Sequence, residues 1–238
     1  MTKGLPRPQG RNTLLHSLPD DDRALITPHL HPVELALGMV LEAPGEPVDT
    51  VYFPDTGVGS ILAIGKRGDA VEAGLFGREG MSGYAVILGG GITPNKAVVQ
   101  VAGQGSMIAA GNLRAALDKS PGLRNHLLLY LQSLLIQVSQ TALSNGKAKL
   151  EERLARWLLM CHDRIDGDRM ALTHEFLSVM LGVRRAGVTV GTHLLEDKGL
   201  IRARRGEITV LDRAGLEADS SESYGVAEQE YTRLMAMA

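Results

Sequence analysis

Apolar residues in the first half of the chain come in short runs, at positions 39–41, 50–53, 61–64, 70–75, 97–101 and 106–108. Gly or Pro punctuates nearly every gap, at Pro44-Gly45, Gly57, Gly65, Gly68, Gly89-Gly90-Gly91 and Gly103. Many short strands with regular turn signals predict an antiparallel barrel or jelly roll. Helical patterns flank it over residues 12–30 and 111–119. From Pro121 onward the period becomes helical, and none of the ten prolines lies beyond that residue. Leu127, Leu131, Leu134 and Val138 form one apolar row, and Leu128, Leu135 and Ala142 form a second. A second helix over 150–165 sets Leu154, Trp157, Leu158 and Cys161 against Glu151, Glu152, Arg153 and Arg156. Turn chemistry at Asp166-Gly167-Asp168 ends it.

Residues 125–146 carry no formal charge, which makes them the one stretch to test as a membrane span. Gln132, Gln137, Ser139, Gln140, Thr141, Ser144 and Asn145 are scattered through it, a polar load unsuited to lipid, so no membrane partner is expected. A helix apolar on two rows needs two packing partners. One row suits the strand-rich domain. The other suits the same helix of a second copy, or else the interior of a single subunit.

The most specific motif spans residues 172–212. Thr173 is a natural N-cap, and Phe176, Leu177 and Met180 form the inward face of a first short helix. Gly182 sits where a helix-turn-helix corner needs a positive φ, and Val183 plugs that corner. The following helix, over about 184–198, is expected to bury Val188, Leu194 and Leu195 before Gly199 stops it. Arg184 and Arg185 stand at its N-terminus, the end that meets base edges in a major groove, with Thr189 and His193 nearby. Two β-rich arms then meet at Arg205-Gly206-Glu207, a hairpin wing whose Arg202, Arg204 and Arg205 suit phosphate contact. Thr173 would anchor the first helix on the DNA backbone. Gly187 and Gly191 weaken the recognition helix by about 1 kcal/mol each relative to Ala. Close approach of backbone to DNA or tight packing against the first helix would each account for them.

Composition adds exclusions. One cysteine, Cys161, rules out a disulfide framework, a zinc finger and a cysteine-ligated iron–sulfur cluster. The net charge of −2 hides a local excess: residues 184–205 hold six basic side chains against Glu196 and Asp197, whereas the segment from Ala214 is acidic. Near-neutrality overall predicts modest non-specific DNA affinity. Residues 1–19 read as a loose N-terminal arm without a signal peptide's apolar run, and a cytoplasmic protein is expected.

These residues and their order resemble the Crp/Fnr family of bacterial transcription regulators along nearly the whole chain. The run Leu181-Gly182-Val183-Arg184-Arg185 and the wing resemble one rhizobial-type branch of it. The resemblance implies an α+β fold: an N-terminal antiparallel β jelly-roll sensor (1–120), a long dimerisation helix (121–146), and a C-terminal winged helix-turn-helix domain (147–238) ending in an acidic tail. It implies a homodimer paired through Leu127, Leu131, Leu134 and Val138, bound to two-fold related half-sites of double-stranded DNA. RNA polymerase is a candidate further partner. Where the family's best-studied members carry an Arg-Glu-Thr-Val-type stretch, this chain has Arg185-Ala186-Gly187-Val188. Arg185 keeps a guanine-type bidentate pair, and the loss of the acidic reader implies a different target.

The sensor departs further. The family's cyclic-nucleotide pocket corresponds here to Gly80, Met81, Ser82, Gly83 and Tyr84 together with Asn95, Lys96 and Ala97. Tyr84 replaces the ribose-binding Glu, and Asn95-Lys96 replaces the phosphate-binding Arg-Ser. Lys96 offers a point charge without the planar fork. The replacements argue against cyclic AMP and leave another small molecule, or a pocket filled by side chains, so the cofactor is unknown. An enzyme is not expected. His29, His31 and Glu34 superficially resemble a cupin ligand set, but no His follows before His126, and Pro28 and Pro32 frame the pair as a loop. The competing reading is a small-molecule-sensing dimer whose C-terminal domain contacts protein.

Overall fold

The computed structural model describes residues 4–5, 11–220, 222 and 224–237. Of the expected N-terminal arm, residues 1–3 and 6–10 lie outside the described residues. The rest of that arm is packed rather than loose. Asn12 is buried and caps α1 (Thr13–His16), its amide donating to the carbonyls of Pro54 and Gly80 at 2.9 and 2.8 Å. Helix α2 (Asp20–Ile26) carries three acidic residues in its first turn, where they complement the helix dipole.

Seven strands follow. They are β1 (His31–Leu35), β2 (Val40–Glu42), β3 (Thr50–Pro54), β4 (Val58–Ile64), β5 (Ala70–Phe76), β6 (Lys96–Val101) and β7 (Gly103–Ala109). All pair antiparallel, in a three-stranded sheet ordered β1-β7-β3 and a four-stranded sheet ordered β2-β6-β4-β5. Leu35, Ile61, Phe76 and Val99 join the two inner faces, giving the expected roll. The loop assigned to His31 and Pro32 is instead the start of β1. That strand lies at a sheet edge, where proline costs no ladder bond on its open side. One turn of helix, α3 (Tyr84–Ile87), lies between β5 and β6.

Helix α4 (Ala110–Lys119) leads into α5 (Pro121–Lys147), which Ser120 caps by accepting from Leu123 N at 3.0 Å. By length and mean hydropathy, 1.2, α5 is apolar enough to cross a membrane. It nevertheless buries Ser133 and Gln137 against the roll, and Gln137 Oε1 accepts from Leu75 N at 2.7 Å.

Beyond it lie α6 (Leu150–His162), β8 (Arg169–Met170), α7 (His174–Leu181), α8 (Arg185–Asp197), β9 (Ile201–Arg204) and β10 (Glu207–Val210). Strands β8, β10 and β9 form the wing sheet. The expected acidic tail is folded instead, into α9 (Arg213–Asp219) and α10 (Val226–Met235). Helix α10 lies along α5, and Tyr231 joins the core formed by Leu5, Leu14 and Leu127.

Candidate DNA-binding face and sensor groove

Local chemistry builds the helix-turn-helix. Thr173 Oγ1 accepts from Phe176 N at 3.2 Å and starts α7. Gly182 ends it at φ 61 and ψ 38, and Val183 N returns to Ser178 O at 2.9 Å. A side chain there would meet Val71 of the sensor sheet at 3.1 Å as well as the left-handed backbone penalty. Arg184 then serves as the extended cap of α8.

One side of α8 is buried through Val188, Gly191 and Leu195. An added Cβ at Gly187 would lie 3.0 Å from Leu150 of α6, and one at Gly191 would lie 3.6 Å from Leu154. Tight packing against α6 accounts for Gly187, which was expected at the DNA and belongs to the inward side of the helix, whereas Gly191 has room for a methyl. Leu194 also departs from expectation, for it is 40% exposed while Leu195 is buried.

The outward face carries Arg185, Ala186, Thr189, Val190 and His193. Arg185 is exposed, with Glu175 4.0 Å away. His174 Nδ1 and Thr189 Oγ1 lie 3.0 Å apart and tie α7 to α8. Ala203 N donates to Glu196 Oε1 at 2.7 Å and fixes the wing against the recognition helix. Arg202, Arg204 and Arg205 are exposed on the wing, and Gly206 turns it at φ 78. Thr173, Arg185, His193, Arg204 and Arg205 border one groove between helix and wing. Of the other residues singled out for DNA contact, Arg184 and Arg202 are exposed and Thr189 is half-buried, and none of the three borders this groove.

The fold is that of solved Crp/Fnr regulators. Residues 152–219 match the family described as the Crp-like helix-turn-helix domain. A solved structure from Eubacterium rectale, a candidate transcriptional regulator of the Crp/Fnr family, is similar with a TM-score of 0.68. It is 18% identical, and the match covers 87% of this chain and 97% of that one. A Crp/Fnr transcriptional regulator from Thermus thermophilus gives 0.66 at 21% identity, covering 81% and 100%. FixK2 from Bradyrhizobium japonicum gives 0.66 at 16% identity, covering 81% and 98%. No curated protein matches the sequence.

In the sensor half, an apolar groove of about 480 Å³ runs between the roll and α5. Ile61, Ala73, Tyr84 and Leu88 face Leu128, Leu131, Leu135 and Val138 across it. Among the described residues, its lining includes no Lys or Arg. Of the eight residues assigned to the sensor pocket, Tyr84 and Asn95 line this groove. Asn95 Nδ2 donates to Tyr84 Oη at 2.9 Å, and Tyr84 Oη also bonds Thr93 Oγ1. Gly80, Met81, Ser82 and Gly83 are buried elsewhere. A Cβ on Gly80 would lie 2.5 Å from Tyr130 Oη, which donates to Met81 O at 3.0 Å. Ser82 Oγ accepts from Tyr52 N at 3.0 Å, and Gly83 N donates to Glu42 Oε1 at 2.7 Å. Ala97 is buried in the roll, and Lys96 is half-buried at the start of β6. Among the described residues, no group of three His, Cys, Asp or Glu is placed to hold a metal ion.

The expected pairing row on α5 is corrected. Leu127 and Leu134 are buried within the single chain, because Ser133 and Gln137 beside them turn that side toward the roll. The open side carries Leu128 and Leu135, 41% and 66% exposed, with Leu131 and Val138 at its edge.

Sequence reasoning missed the junction between the two halves. Trp157 Nε1 donates to Glu72 Oε1 at 2.8 Å, and Ser60 Oγ donates to the other carboxylate oxygen. Phe176 of α7 packs edge-on against Trp157, with ring centroids 5.9 Å apart. Arg164 Nε donates to Glu79 Oε1 at 2.8 Å, and Arg78 reaches Asp166 and the Arg164 carbonyl. Arg156, assigned to a polar face, is buried beside this network. Burial raises the Glu72 carboxyl to about 7, against the lowering effects of Ser60, Trp157, Arg156 and Arg164. The desolvation of Arg164 is outweighed by the Glu79 and Asp163 carboxylates, which keep it protonated.

Proposed function

We propose that this chain is a sequence-specific transcription regulator that binds double-stranded DNA as a homodimer and is not an enzyme. The observation that carries the reading is the set of exposed arginines, Arg185 on the recognition helix and Arg202, Arg204 and Arg205 on the wing. Arg185 enters the major groove at the N-terminal end of α8 and reads a base edge, while the wing arginines hold phosphates. Thr173 sits at the α7 N-terminus, where backbone N–H groups favour an anion, and anchors that helix on the DNA backbone. Leu128, Leu135 and Ala142 form the seam with a second copy, which places the two recognition helices on two-fold related half-sites. RNA polymerase is the further partner of such a regulator, and the cytoplasm is its compartment.

The sensor groove takes an apolar small molecule rather than a cyclic nucleotide. Its lining is mostly aliphatic with Gln132, Asn95 and Tyr84 as its polar members, and Tyr84 stands bonded to Thr93 and Asn95 where a ribose would need an acceptor. Charged phosphate without a lined cation is costly to bury.

Titrating Arg185→Ala and Arg204→Ala against a selected duplex at several salt concentrations tests the division of labour. Arg185→Ala relaxes base preference at one position per half-site. Arg204→Ala weakens all sequences alike and lowers the salt slope by about 1. Identical losses and identical salt responses would overturn it.

A further inference from the structure

Val190 is 59% exposed on α8, and it joins no apolar core among the described residues. A β-branched residue is a weak helix former, and at an open position it gains no burial in return. At about 100° per residue, Ala186, Val190 and His193 lie within ~60° of one another, opposite Val188, Gly191 and Leu195. Val190 therefore stands on the outward face, one turn beyond Ala186. Its χ1 is restricted by the helix, which makes it a fixed apolar knob rather than a mobile one.

The neighbouring side chains narrow what this knob could meet. Thr189 spends its hydroxyl on His174 and on the Arg185 carbonyl, at 3.0 and 3.3 Å. Arg185 is exposed on one flank, 4.0 Å from Glu175. The surrounding rim carries Arg184, Arg202, Arg204 and Arg205, with Glu175 beside Arg185 and Glu196 bonded to the wing. A protein-docking surface would be expected to offer a broader apolar centre with aromatic anchors. Ala186, Val190 and the partly exposed Leu194 instead form a narrow aliphatic strip along one side of the helix, with no aromatic residue in it, which suits a different target. In the major groove, the one apolar group on a base edge is the C5-methyl of thymine.

We propose that Val190, with Ala186 beside it, reads a thymine methyl in each half-site, next to the base pair read by Arg185. This rests on the DNA-binding reading above. Thymine preference would then come from methyl burial, while Arg185 supplies hydrogen-bonded preference at the adjacent position.

The test uses the full-length protein and a duplex selected from a randomised pool. Each thymine is replaced in turn by deoxyuridine, which removes the methyl and leaves the pairing edge intact. Wild type should lose about fourfold in affinity at one thymine per half-site, the effect of exposing one buried methyl. Val190→Ala, at an open position that folding does not use, should bind thymine and deoxyuridine equally there and keep its Arg185-dependent base preference. Equal binding of both bases by wild type at every position would overturn the proposal, as would an unchanged ratio in Val190→Ala. A selected half-site with no thymine beside the Arg185-dependent base would do the same. Failure of the pool to enrich any sequence would overturn the DNA-binding reading itself, and the proposal with it.

Discussion

Replacing Glu72 by glutamine should make a pH-sensitive junction insensitive to pH. Glu72 is buried in β5, bonded to Ser60 and to Trp157, and feels the charges of Arg156 and Arg164. Burial raises its carboxyl from 4.5 to about 7. Folding therefore takes up a proton between these two values. The resulting stability is complete below about pH 4.5 and is lost as pH rises through about 7. About 1.4 kcal/mol per pKa unit makes this about 3 kcal/mol. Glutamine preserves the local bonding, since its carbonyl accepts from Trp157 and its amide donates to the Ser60 hydroxyl. It mimics the protonated acid at every pH. Urea unfolding from pH 5 to pH 8.5, followed by fluorescence of the single tryptophan at this junction, provides the assay. The two proteins should differ by less than about 1 kcal/mol near pH 5, with Glu72→Gln more stable by about 3 kcal/mol at the alkaline end. Other titrating groups cancel in the difference. A difference that does not change with pH would refute the reasoning.

Three further outcomes follow from the packing. Arg164→Met leaves Glu79 buried without its cation and should cost about 3–5 kcal/mol, so a loss below about 1 kcal/mol in urea melts would contradict the pairing. Gly191→Ala places its methyl at ordinary contact distance from Leu154, and thermal melts should show a gain of up to about 1 kcal/mol from helix propensity. Leu135→Glu should leave single-chain stability within about 0.5 kcal/mol, because Leu135 is 66% exposed, yet convert a dimer to monomer by sedimentation. Unchanged oligomeric state would remove α5 as the seam.

The parts of the molecule that local chemistry decides were legible in the sequence. Thr173, Gly182 and Gly206 each occupy a position that only a few residue types fill well, so the corner and the wing could be read directly. Six of the seven roll strands announce themselves as short apolar runs between glycines. The seventh, β1, opens with His31-Pro32, and its strand character comes from pairing with β7 rather than from its own residues. On α5 both rows are leucine-rich, so periodicity could not say which faces inward. Gln137 carried that information through its bond to Leu75 N, visible only once the roll lay beside it. The junction was illegible because its bonds join residues 85 apart in sequence. Helix α10 was missed for a different reason: acidic composition drew attention away from Ala227, Tyr231 and Leu234, whose spacing carries a helical period.

Selection from a randomised duplex pool, with and without cell extract to supply a missing effector, tests the central claim most directly. The account predicts enrichment of an inverted repeat whose half-sites are centred about one helical turn apart. Recovery of no preferred sequence under either condition would contradict it, and would point instead to a C-terminal domain that contacts protein.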